Sequence, residues 1–468
     1  MAKAAGHPWP GAQVVTVPGG LACLAGAAVL SWPMLFLGAP LFFLDSLPYA
    51  VEGQAVVQGL LGLLPGGDGA AAGSVGELAG QANSLRSVYY AAFVHLAAQT
   101  PLGFAGPALL QGAMVLFLAG PLVGPEAAAP AADRLLAGAL VVALTPLAWF
   151  ASYLMPDVLA AAVVLHACLL VRGVDALSPR QCAAVGLVAG FAIVSHHGYI
   201  PLSGAVVALA LALRLAARRP LLRAAALGLA PLMLAVGANM ALGALVLDGP
   251  SVAPRRLPIL LARSIADGPA RWHLEAHCAD ENYAVCGYFE TIPDTVHDTL
   301  WAEGGLRDGP TELLALVRAE EPVILWRAFL EYPAQQVWSL AGNTLVQLVS
   351  IGTGEILAGR AVFDAAGRPQ LEIDRARGRG LLAAYDVVLP LSVLAGLGMI
   401  GRMALRDGLR AGPHERALLA VVTVGLLANG AIFGGLSAPV DRYQTRLAWL
   451  LPALAALFWL ARRRREGA

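Results

Sequence analysis

Long apolar stretches separated by short polar segments recur along nearly the whole chain. Each is close to the ~20 residues that a helix needs to cross about 30 Å of hydrocarbon. The ten stretches lie at 20–44, 102–123, 134–153, 157–172, 183–196, 199–217, 221–246, 384–402, 415–435 and 445–462. The short alternating segments typical of membrane β-strands are absent from the sequence. The pattern therefore predicts an all-α polytopic membrane protein with about ten transmembrane helices.

Composition agrees with a membrane protein. The 468 residues are 58% hydrophobic and 13% charged, whereas soluble domains are about 45–50% apolar and roughly 25% charged. The net charge is zero, so a nucleic-acid partner has no electrostatic support. No small-residue cleavage site follows the first apolar stretch, which predicts a retained transmembrane helix and not a removed signal peptide.

The arginines predict the orientation of the spans. Cytoplasmic loops of membrane proteins are enriched in basic residues. With ten spans, the arginine-rich segments fall on one side, together with Lys3: Arg134, Arg172, Arg180, Arg214, Arg218, Arg219, Arg223, Arg402, Arg406, Arg410, Arg416 and Arg462 to Arg465. That side is predicted to be the cytoplasm, with both termini. Arginine almost without lysine, and abundant Ala, Gly and Pro, is typical of GC-rich bacterial genes, which indicates a bacterial inner membrane.

The opposite, periplasmic side receives the longer polar segments. Residues 1–246 form a predicted N-terminal transmembrane module with an acidic first loop at 45–101. Residues 247–383 form a small periplasmic cap, and 384–468 supply the C-terminal transmembrane helices. In the first loop, Tyr49–Leu64 and Gly76–Ala98 are predicted to be amphipathic helices at the membrane interface. The aromatic-rich segment Glu321–Ile351 has the same character.

Carboxylates at the predicted outer ends of spans are candidate catalytic groups. Asp45 follows the first span, Asp157 begins the fourth, and Glu52 stands seven residues after Asp45. A carboxylate screened from water can take the proton of an attacking hydroxyl. The plainer interpretations are a solvated helix end for Asp45, a helix-capping acid after a proline for Asp157, and a polar helix face for Glu52.

Basic and aromatic residues on the same side are candidate binding groups. Arg442 and Arg446 are four residues apart, so they share a helix face and suit bidentate binding of phosphate. Tyr443 and Arg86 are further candidates. The plainer interpretation of the arginines is a pair at the membrane interface with Asp441 as partner. His196 is a candidate headgroup contact or proton relay, and the plainer interpretation, which the sequence favours, is a satisfied polar helix end.

Two cysteines lie close together in the most polar segment. Cys278 and Cys286 are eight residues apart on the predicted outer side, where a local disulfide is expected. A metal pair with His273 and His277 nearby is the rival interpretation, and no four-ligand spacing completes it. The sequence contains no P-loop, dinucleotide fingerprint or HExxH motif, so it offers no support for ATP hydrolysis or zinc proteolysis.

The layout resembles the GT-C superfamily of integral membrane glycosyltransferases. The similarity rests on a first span followed by a loop with Asp45 and Tyr49, two juxtamembrane helices in that loop, many further spans and long outer loops. The Met155-Pro156-Asp157 turn is similar to the Pro-Asp that starts a later span in the dolichyl-phosphate-mannose and aminoarabinose transferase branches. The resemblance implies a polyprenyl-phosphate sugar as donor. It also implies a reaction that generally does not require a divalent metal, with a divalent metal left as an open alternative, and it makes Tyr49 a binding residue.

These observations lead to one hypothesis and two alternatives. In the hypothesis, Asp45 deprotonates an acceptor hydroxyl of a lipid, glycan or protein, while Arg442, Arg446 and Arg86 bind the phosphate of the donor. The alternatives are a transporter or flippase of lipid-linked glycans and a component of a polymer-assembly system. A transporter is expected to have internal repeats and polar or broken helices at mid-membrane. The scarcity of charge within the spans favours the enzyme.

Overall fold

The chain is a helical multi-pass membrane protein. The computed structural model describes residues 18–62, 86–124, 128–246, 249–253, 256–365, 369–406 and 412–466. Within them, six helices are long and apolar enough to cross a bilayer: Ala105–Val123, Tyr199–Ala216, Leu222–Ala244, Arg379–Arg406, Pro413–Gly435 and Asp441–Arg465. Large apolar side chains point outward from the helices, with Leu21, Leu222 and Leu405 each at least 86% exposed. Such surfaces are suited to lipid and not to water.

The helices of the N-terminal part are connected by short turns. Within the described ranges they are α1 (Gly20–Leu30), α2 (Trp32–Leu37), α3 (Ser46–Gly62), α4 (Val88–Ala98), α5 (Ala105–Val123), α6 (Ala131–Leu144), α7 (Leu147–Ala151), α8 (Asp157–Arg172), α9 (Pro179–Val194), α10 (Tyr199–Ala216) and α11 (Leu222–Val246), with a 3-10 turn at Val174–Ala176.

The second half contains short helices, one hairpin and the last spans. Its described elements are α12 (Ile259–Asp267), α13 (Pro269–Glu281), α14 (Ala284–Tyr288), α15 (Val296–Leu300), a 3-10 turn (Leu306–Asp308), α16 (Thr311–Glu331), α17 (Pro333–Val349), β1 (Gly359–Phe363), β2 (Pro369–Ile373), α18 (Arg379–Arg406), α19 (Pro413–Asn429), a π-helical turn (Gly430–Gly435), α20 (Asp441–Ala448) and α21 (Leu450–Glu466).

Helix α8 is the core of the molecule. Its residues from Asp157 to Val171 are all buried, because Ala, Val and Leu occupy every side of it, and a helix that is apolar all round is buried all round. At its C-terminal end, Arg214 donates to the carbonyl oxygen of Leu170 at 2.9 Å and Arg219 to that of Val171 at 2.8 Å. These bonds satisfy carbonyl groups that the helix leaves without intrahelical partners.

An extended dipeptide after α2 connects three distant segments of the backbone. Leu41 N–H donates to Ser152 O, and Leu154 N–H donates to Leu41 O, both at 2.8 Å. Phe42 and Leu357 exchange two further hydrogen bonds, also at 2.8 Å. We call this set of four bonds the backbone link. It brings together residues near positions 42, 153 and 357, which the chain separates by hundreds of residues.

All ten predicted spans contain helix, but several differ from the prediction in length. In 20–44 the helices end at Leu37, because Gly38 has φ 72° and Pro40 follows it, and this combination stops a helix. Stretch 134–153 is interrupted at Thr145–Pro146. The helices in these two stretches and in 157–172 and 183–196 have 16 residues or fewer, about 24 Å at most. The number of full crossings remains a prediction.

The region predicted as a small cap is helical with its own core. We call residues 249–378 the cap. Leu261, Ile265, Leu274 and Val317 lie in a buried cluster of the cap that is separate from the main core. The hairpin β1–β2 pairs antiparallel, from Gly359 opposite Ile373 to Phe363 opposite Pro369. The all-α prediction misses this hairpin, and the boundary predicted between 383 and 384 lies inside α18.

The predicted first loop contains two helices that pack closely against each other. Helix α3 matches the predicted Tyr49–Leu64 helix, and α4 matches the second half of Gly76–Ala98, whose first part, 76–85, lies outside the described residues. The hydroxyl of Ser87 caps α4 by accepting from Tyr90 N–H at 3.3 Å. The helices approach so closely at Gly53 that a Cβ there would overlap the carbonyl oxygen of Ala91.

We expect Gly53→Ala to destabilise the protein although alanine favours helices. The added methyl group must push apart two backbones, and such overpacking typically costs about 1–3 kcal/mol. The midpoint of thermal unfolding of the protein in detergent should fall. The matched control is Gly204→Ala in α10, where a Cβ would meet nothing within 4 Å and helix propensity favours alanine by about 0.5–1 kcal/mol. Equal midpoints for the two variants would contradict the packing.

Candidate functional site

The backbone link brings three acidic residues close together. Asp45 is three residues beyond Phe42, Asp157 is four residues beyond Tyr153, and Glu355 is two residues before Leu357. Glu355 lies close enough to Asp157 and Asp45 for their charges to act on it. We call this group of residues, with the arginines that face it, the acid–arginine cluster.

Asp157 and Arg446 form a buried ion pair at the N-terminus of α8. Arg446 Nη1 is 3.1 Å from Asp157 Oδ1, and the side chains are 1% and 4% exposed. Arg446 Nη2 donates to Asn429 Oδ1 at 3.0 Å, and its guanidinium lies 4.0 Å from the centre of the Phe433 ring. Removing such a pair from water is costly unless further hydrogen bonds and cation–π contacts compensate it, and this arrangement provides both.

Arg442 has two buried donor atoms without a hydrogen-bond acceptor within the described residues, whereas Arg446 has one. Its guanidinium lies 3.9 Å above the Phe43 ring, and Nε is 3.5 Å from Glu355 Oε2 and 3.8 Å from Asp157 Oδ1. Nη2 is 3.4 Å from the hydroxyl of Tyr443. Nε and Nη1 are buried and make no hydrogen bond within the described residues. Buried guanidinium donors without acceptors are unusual, which makes Arg442 a candidate anion-binding residue.

Asp45 is held by Arg86. Arg86 Nη2 donates to Asp45 Oδ1 at 2.6 Å, and Nη1 is 3.5 Å from Glu52 Oε1. The side chain of Asp45 is 35% exposed, whereas those of Arg86 and Glu52 are 18% exposed. Asp45, which directly precedes α3, and Glu52, seven residues later within it, therefore share one arginine. Arg86 orients these acids, and Asp45 remains the more accessible one.

Glu355 is the acid that sequence reasoning missed. Burial raises the pKa of Glu355, an effect that Arg442 opposes and the nearby charge of Asp157 reinforces. Its Oε2 atom is buried and has no hydrogen-bond donor within the described residues. The hydroxyl of Tyr153 donates to its backbone carbonyl at 3.2 Å. Glu355 follows Gly352-Thr-Gly354 in a polar segment where an acid is unremarkable, so the sequence offers no signal for it.

Asn429 was also missed, although its signal is present in the sequence. It is an amide inside the apolar stretch 415–435, and polar residues within spans are candidate functional residues. Besides Arg446, it contacts the last span: its Nδ2 donates to Tyr443 O at 2.6 Å and to Gln444 Oε1 at 3.1 Å. Asn429 therefore fixes the position of Arg446 relative to α19.

The remaining predicted binding residues lie at the border of the cluster. His196 packs 5.0 Å from the Tyr199 ring and 5.2 Å from the Phe433 ring, and its Nδ1 accepts from Gly198 N–H at 3.1 Å. The Tyr443 ring is 4.9 Å from the guanidinium carbon of Arg446. Tyr49 is buried edge-on against Tyr90 at 4.9 Å, a packing position on α3.

The cysteine prediction is confirmed. Cys278 and Cys286 form a disulfide with their Cα atoms 5.7 Å apart, inside the usual range. Because both sulfur atoms are in the disulfide, neither can act as a metal ligand, which contradicts the rival metal interpretation of the cysteines. Within the described residues, the acids of the cluster do not converge as metal ligands do; the group that converges is His273, His277 and Glu331 in the cap.

We expect Asp157→Asn to destabilise the folded protein strongly. Removing one partner of a buried ion pair leaves an uncompensated charge and costs about 3–5 kcal/mol, here on Arg446. The midpoint of thermal unfolding in detergent should fall by several degrees. Asp280→Asn, at an exposed acid in the cap, is the matched control and should leave the midpoint unchanged. Equal midpoints for these variants would show that Asp157 is not a structural partner of Arg446.

Comparison with known proteins finds no relative of this chain. No family model matches the chain, and no curated protein or solved structure matches it. Its function must therefore be inferred from the acid–arginine cluster itself: the partly exposed carboxylate of Asp45, the half-buried carboxylate of Glu355 with its raised pKa, and the guanidinium of Arg442 with two donors still available.

Proposed function

We propose that this protein is an integral membrane glycosyltransferase of the GT-C type. It transfers a hexose or pentose from a polyprenyl-phosphate donor to a hydroxyl of a lipid, glycan or protein acceptor. The observation that carries the proposal is Arg442, whose buried Nε and Nη1 donors have no acceptor within the described residues. A phosphate oxygen would satisfy these donors, since guanidinium groups bind phosphate through paired N–H bonds.

The contacts of the cluster support different roles for Arg442 and Arg446. Arg446 is 1% exposed and already bound to Asp157 and Asn429, so it contributes positive potential and holds α20 in place. Arg442 makes only long ion-pair contacts, at 3.5 Å from Glu355 and 3.8 Å from Asp157. It can therefore exchange these long contacts for short ones to a phosphate. Arg86 binds the carboxylates of Asp45 and Glu52 and does not bind the donor.

In the proposed reaction, Asp45 takes the proton of the acceptor hydroxyl as the hydroxyl oxygen bonds to the anomeric carbon. The bond between that carbon and the phosphate oxygen breaks at the same time, and its electron pair leaves with polyprenyl phosphate. The leaving phosphate gains one negative charge. Arg442 stabilises this charge, and electrostatic stabilisation of a leaving group in a site screened from water is a large term in catalysis.

An apolar groove offers a place for the polyprenyl chain of the donor. It lies between α9 and α11, has a volume of about 890 Å³, and reaches from Leu177 to Val194 and Ala238. At the latter end, Ser87 donates to Val194 O at 2.6 Å and Tyr89 donates to Ala238 O at 2.7 Å. Ser87 directly follows Arg86, so the groove ends beside the residue that holds Asp45. This continuity favours a lipid-linked donor.

The proposal includes the predicted placement in the membrane. Ten crossings, with both termini in the cytoplasm of a bacterial cell, would put Asp45, Arg86, Arg442 and the cap on the periplasmic side of the inner membrane. The disulfide of the cap supports this side, because disulfides form and persist in the periplasm and are rare in the cytosol. The donor would then enter from the outer leaflet.

A flippase of lipid-linked glycans is the second candidate. The observation that favours it is the irregular end of the last but one span, where Asn429 precedes a π-helical turn at Gly430–Gly435. Irregular helices with polar groups are typical of transporters. Chemistry separates the candidates: a transferase releases polyprenyl phosphate from a labelled polyprenyl-phosphate sugar, whereas a flippase moves the same molecule between leaflets intact.

We expect Asp45→Asn to abolish transfer while the protein remains folded. Loss of a general base typically lowers a rate by about 10²–10⁴. The assay is release of polyprenyl phosphate by purified protein from labelled polyprenyl-phosphate hexose and pentose donors, with envelope glycolipids as acceptors. Asp298→Asn, at an exposed acid of the cap, should retain the wild-type rate. Full activity in Asp45→Asn would remove Asp45 from the mechanism.

Binding of the product tests the role of Arg442 without knowledge of the acceptor. Arg442→Lys keeps the charge but loses the planar fork, so its dissociation constant for polyprenyl phosphate in detergent micelles should rise by about tenfold or more, as expected from loss of a charged hydrogen bond worth roughly 1.5–3 kcal/mol. Arg360→Lys, at an exposed position of β1, should bind as the wild type does. Unchanged affinity in Arg442→Lys would contradict the proposed phosphate site.

A further inference from the structure

The cap contains a second group of converging polar side chains, outside the acid–arginine cluster. His273 and His277 are four residues apart on α13, so both rings leave the same face of the helix, with centroids 4.7 Å apart. Glu331, the last residue of α16, meets them. Its Oε1 is 2.9 Å from His273 Nδ1 and 3.3 Å from His277 Nε2.

These distances suit a bound metal ion. Ligands at about 2.0–2.1 Å from a tetrahedral ion are themselves separated by roughly 3.3 Å, and the three ligand atoms here lie within 4.8 Å of one another. Two imidazole nitrogens and one carboxylate oxygen form a donor set that favours Zn²⁺ and related transition metals. Calcium and magnesium prefer oxygen ligands throughout.

A partner behind His273 orients its ring for this role. Its Nε2 is 3.3 Å from the hydroxyl of Tyr283, which in turn accepts from Arg327 Nη1 at 2.9 Å. With Nε2 donating to Tyr283, the lone pair of Nδ1 points toward Glu331 and His277. Metal-binding histidines almost always have such an oxygen partner at the second ring nitrogen, which fixes the tautomer and the ring orientation.

The three ligands differ in exposure in a way that allows an ion to enter from water. The side chain of His273 is 2% exposed, whereas those of His277 and Glu331 are 40% and 35% exposed. A tetrahedral ion held by these three groups would keep its fourth position for water or another ligand from solvent. The neighbouring disulfide leaves Cys278 unavailable as that ligand.

We propose that His273, His277 and Glu331 bind one divalent transition-metal ion, with Zn²⁺ as the occupant. The ion would join α13 to the end of α16, in a cap whose own core is small. Helix α17 begins two residues after Glu331 and packs against the π-helical turn that carries Phe433. The metal would therefore strengthen the attachment of the cap to the helices of the acid–arginine cluster. This proposal does not depend on glycosyl transfer.

Metal titration of the full chain tests the site. The protein, purified in detergent without a histidine tag and stripped with a chelator, is titrated with Co²⁺ and its visible absorption is followed. The wild type should bind one equivalent with the absorption of a four-coordinate ion, and Zn²⁺ should displace it. His277→Ala and Glu331→Gln, at partly exposed positions, should lower the affinity at least about tenfold, and Tyr283→Phe by about 10–100-fold.

The control is His297→Ala, which removes an exposed histidine from the same cap and should bind as the wild type does. Two results would overturn the proposal. One is a wild-type protein that binds no Co²⁺ or binds it no better than His277→Ala. The other is a near-ultraviolet thiolate band in the oxidised protein, which would place cysteine in the metal site. Circular dichroism of each variant separates loss of ligand from loss of fold.

Discussion

Four backbone hydrogen bonds at Leu41 and Phe42 determine where the polar chemistry of this membrane protein lies. They join the end of the first helical pair to the segment before α8 and to the segment after α17. Each joined segment carries one acid: Asp45, Asp157 or Glu355. Because backbone groups in an apolar interior must be paired, the link is costly to break. The acids are therefore brought together by main-chain bonds, and side-chain contacts with Arg86 and Arg446 then hold Asp45 and Asp157.

The arginines balance the charges of the acids that the backbone link brings together. Arg446 balances Asp157 in the buried interior, and Arg86 balances Asp45 and Glu52 nearer the surface. Arg442, stacked on Phe43, lies between these pairs with donors still available. Two buried nitrogen atoms of Arg442 and one of Arg446 have no hydrogen-bond acceptor within the described residues, so the cluster differs from an ion-pair network in which every donor is satisfied. That difference supports an anionic ligand, whichever of the proposed functions proves correct.

The sequence allows prediction of those features that interrupt an apolar pattern or act over short distances. Asp45, Asp157, Arg442 and Arg446 stand out at the ends of stretches, and Cys278 and Cys286 are close enough in the chain to be paired by spacing. The helix end at Gly38 could have been anticipated from Gly38 and Pro40. Glu355 could not, because its place depends on the pairing of Phe42 with Leu357, and contacts of such sequence separation leave no local pattern.

The separation of 289 residues between Asp157 and Arg446 also bears on how the protein is made. At about 5–20 residues per second, synthesis of Arg446 follows that of Asp157 by roughly 15–60 s. Helix α8 must enter the membrane long before its counter-ion exists. During that interval the carboxyl group has no arginine partner from the last span, and an unpaired charge within hydrocarbon is costly. The last span thus completes the assembly of the protein, and a chain lacking it would leave the core helix with an unbalanced acid.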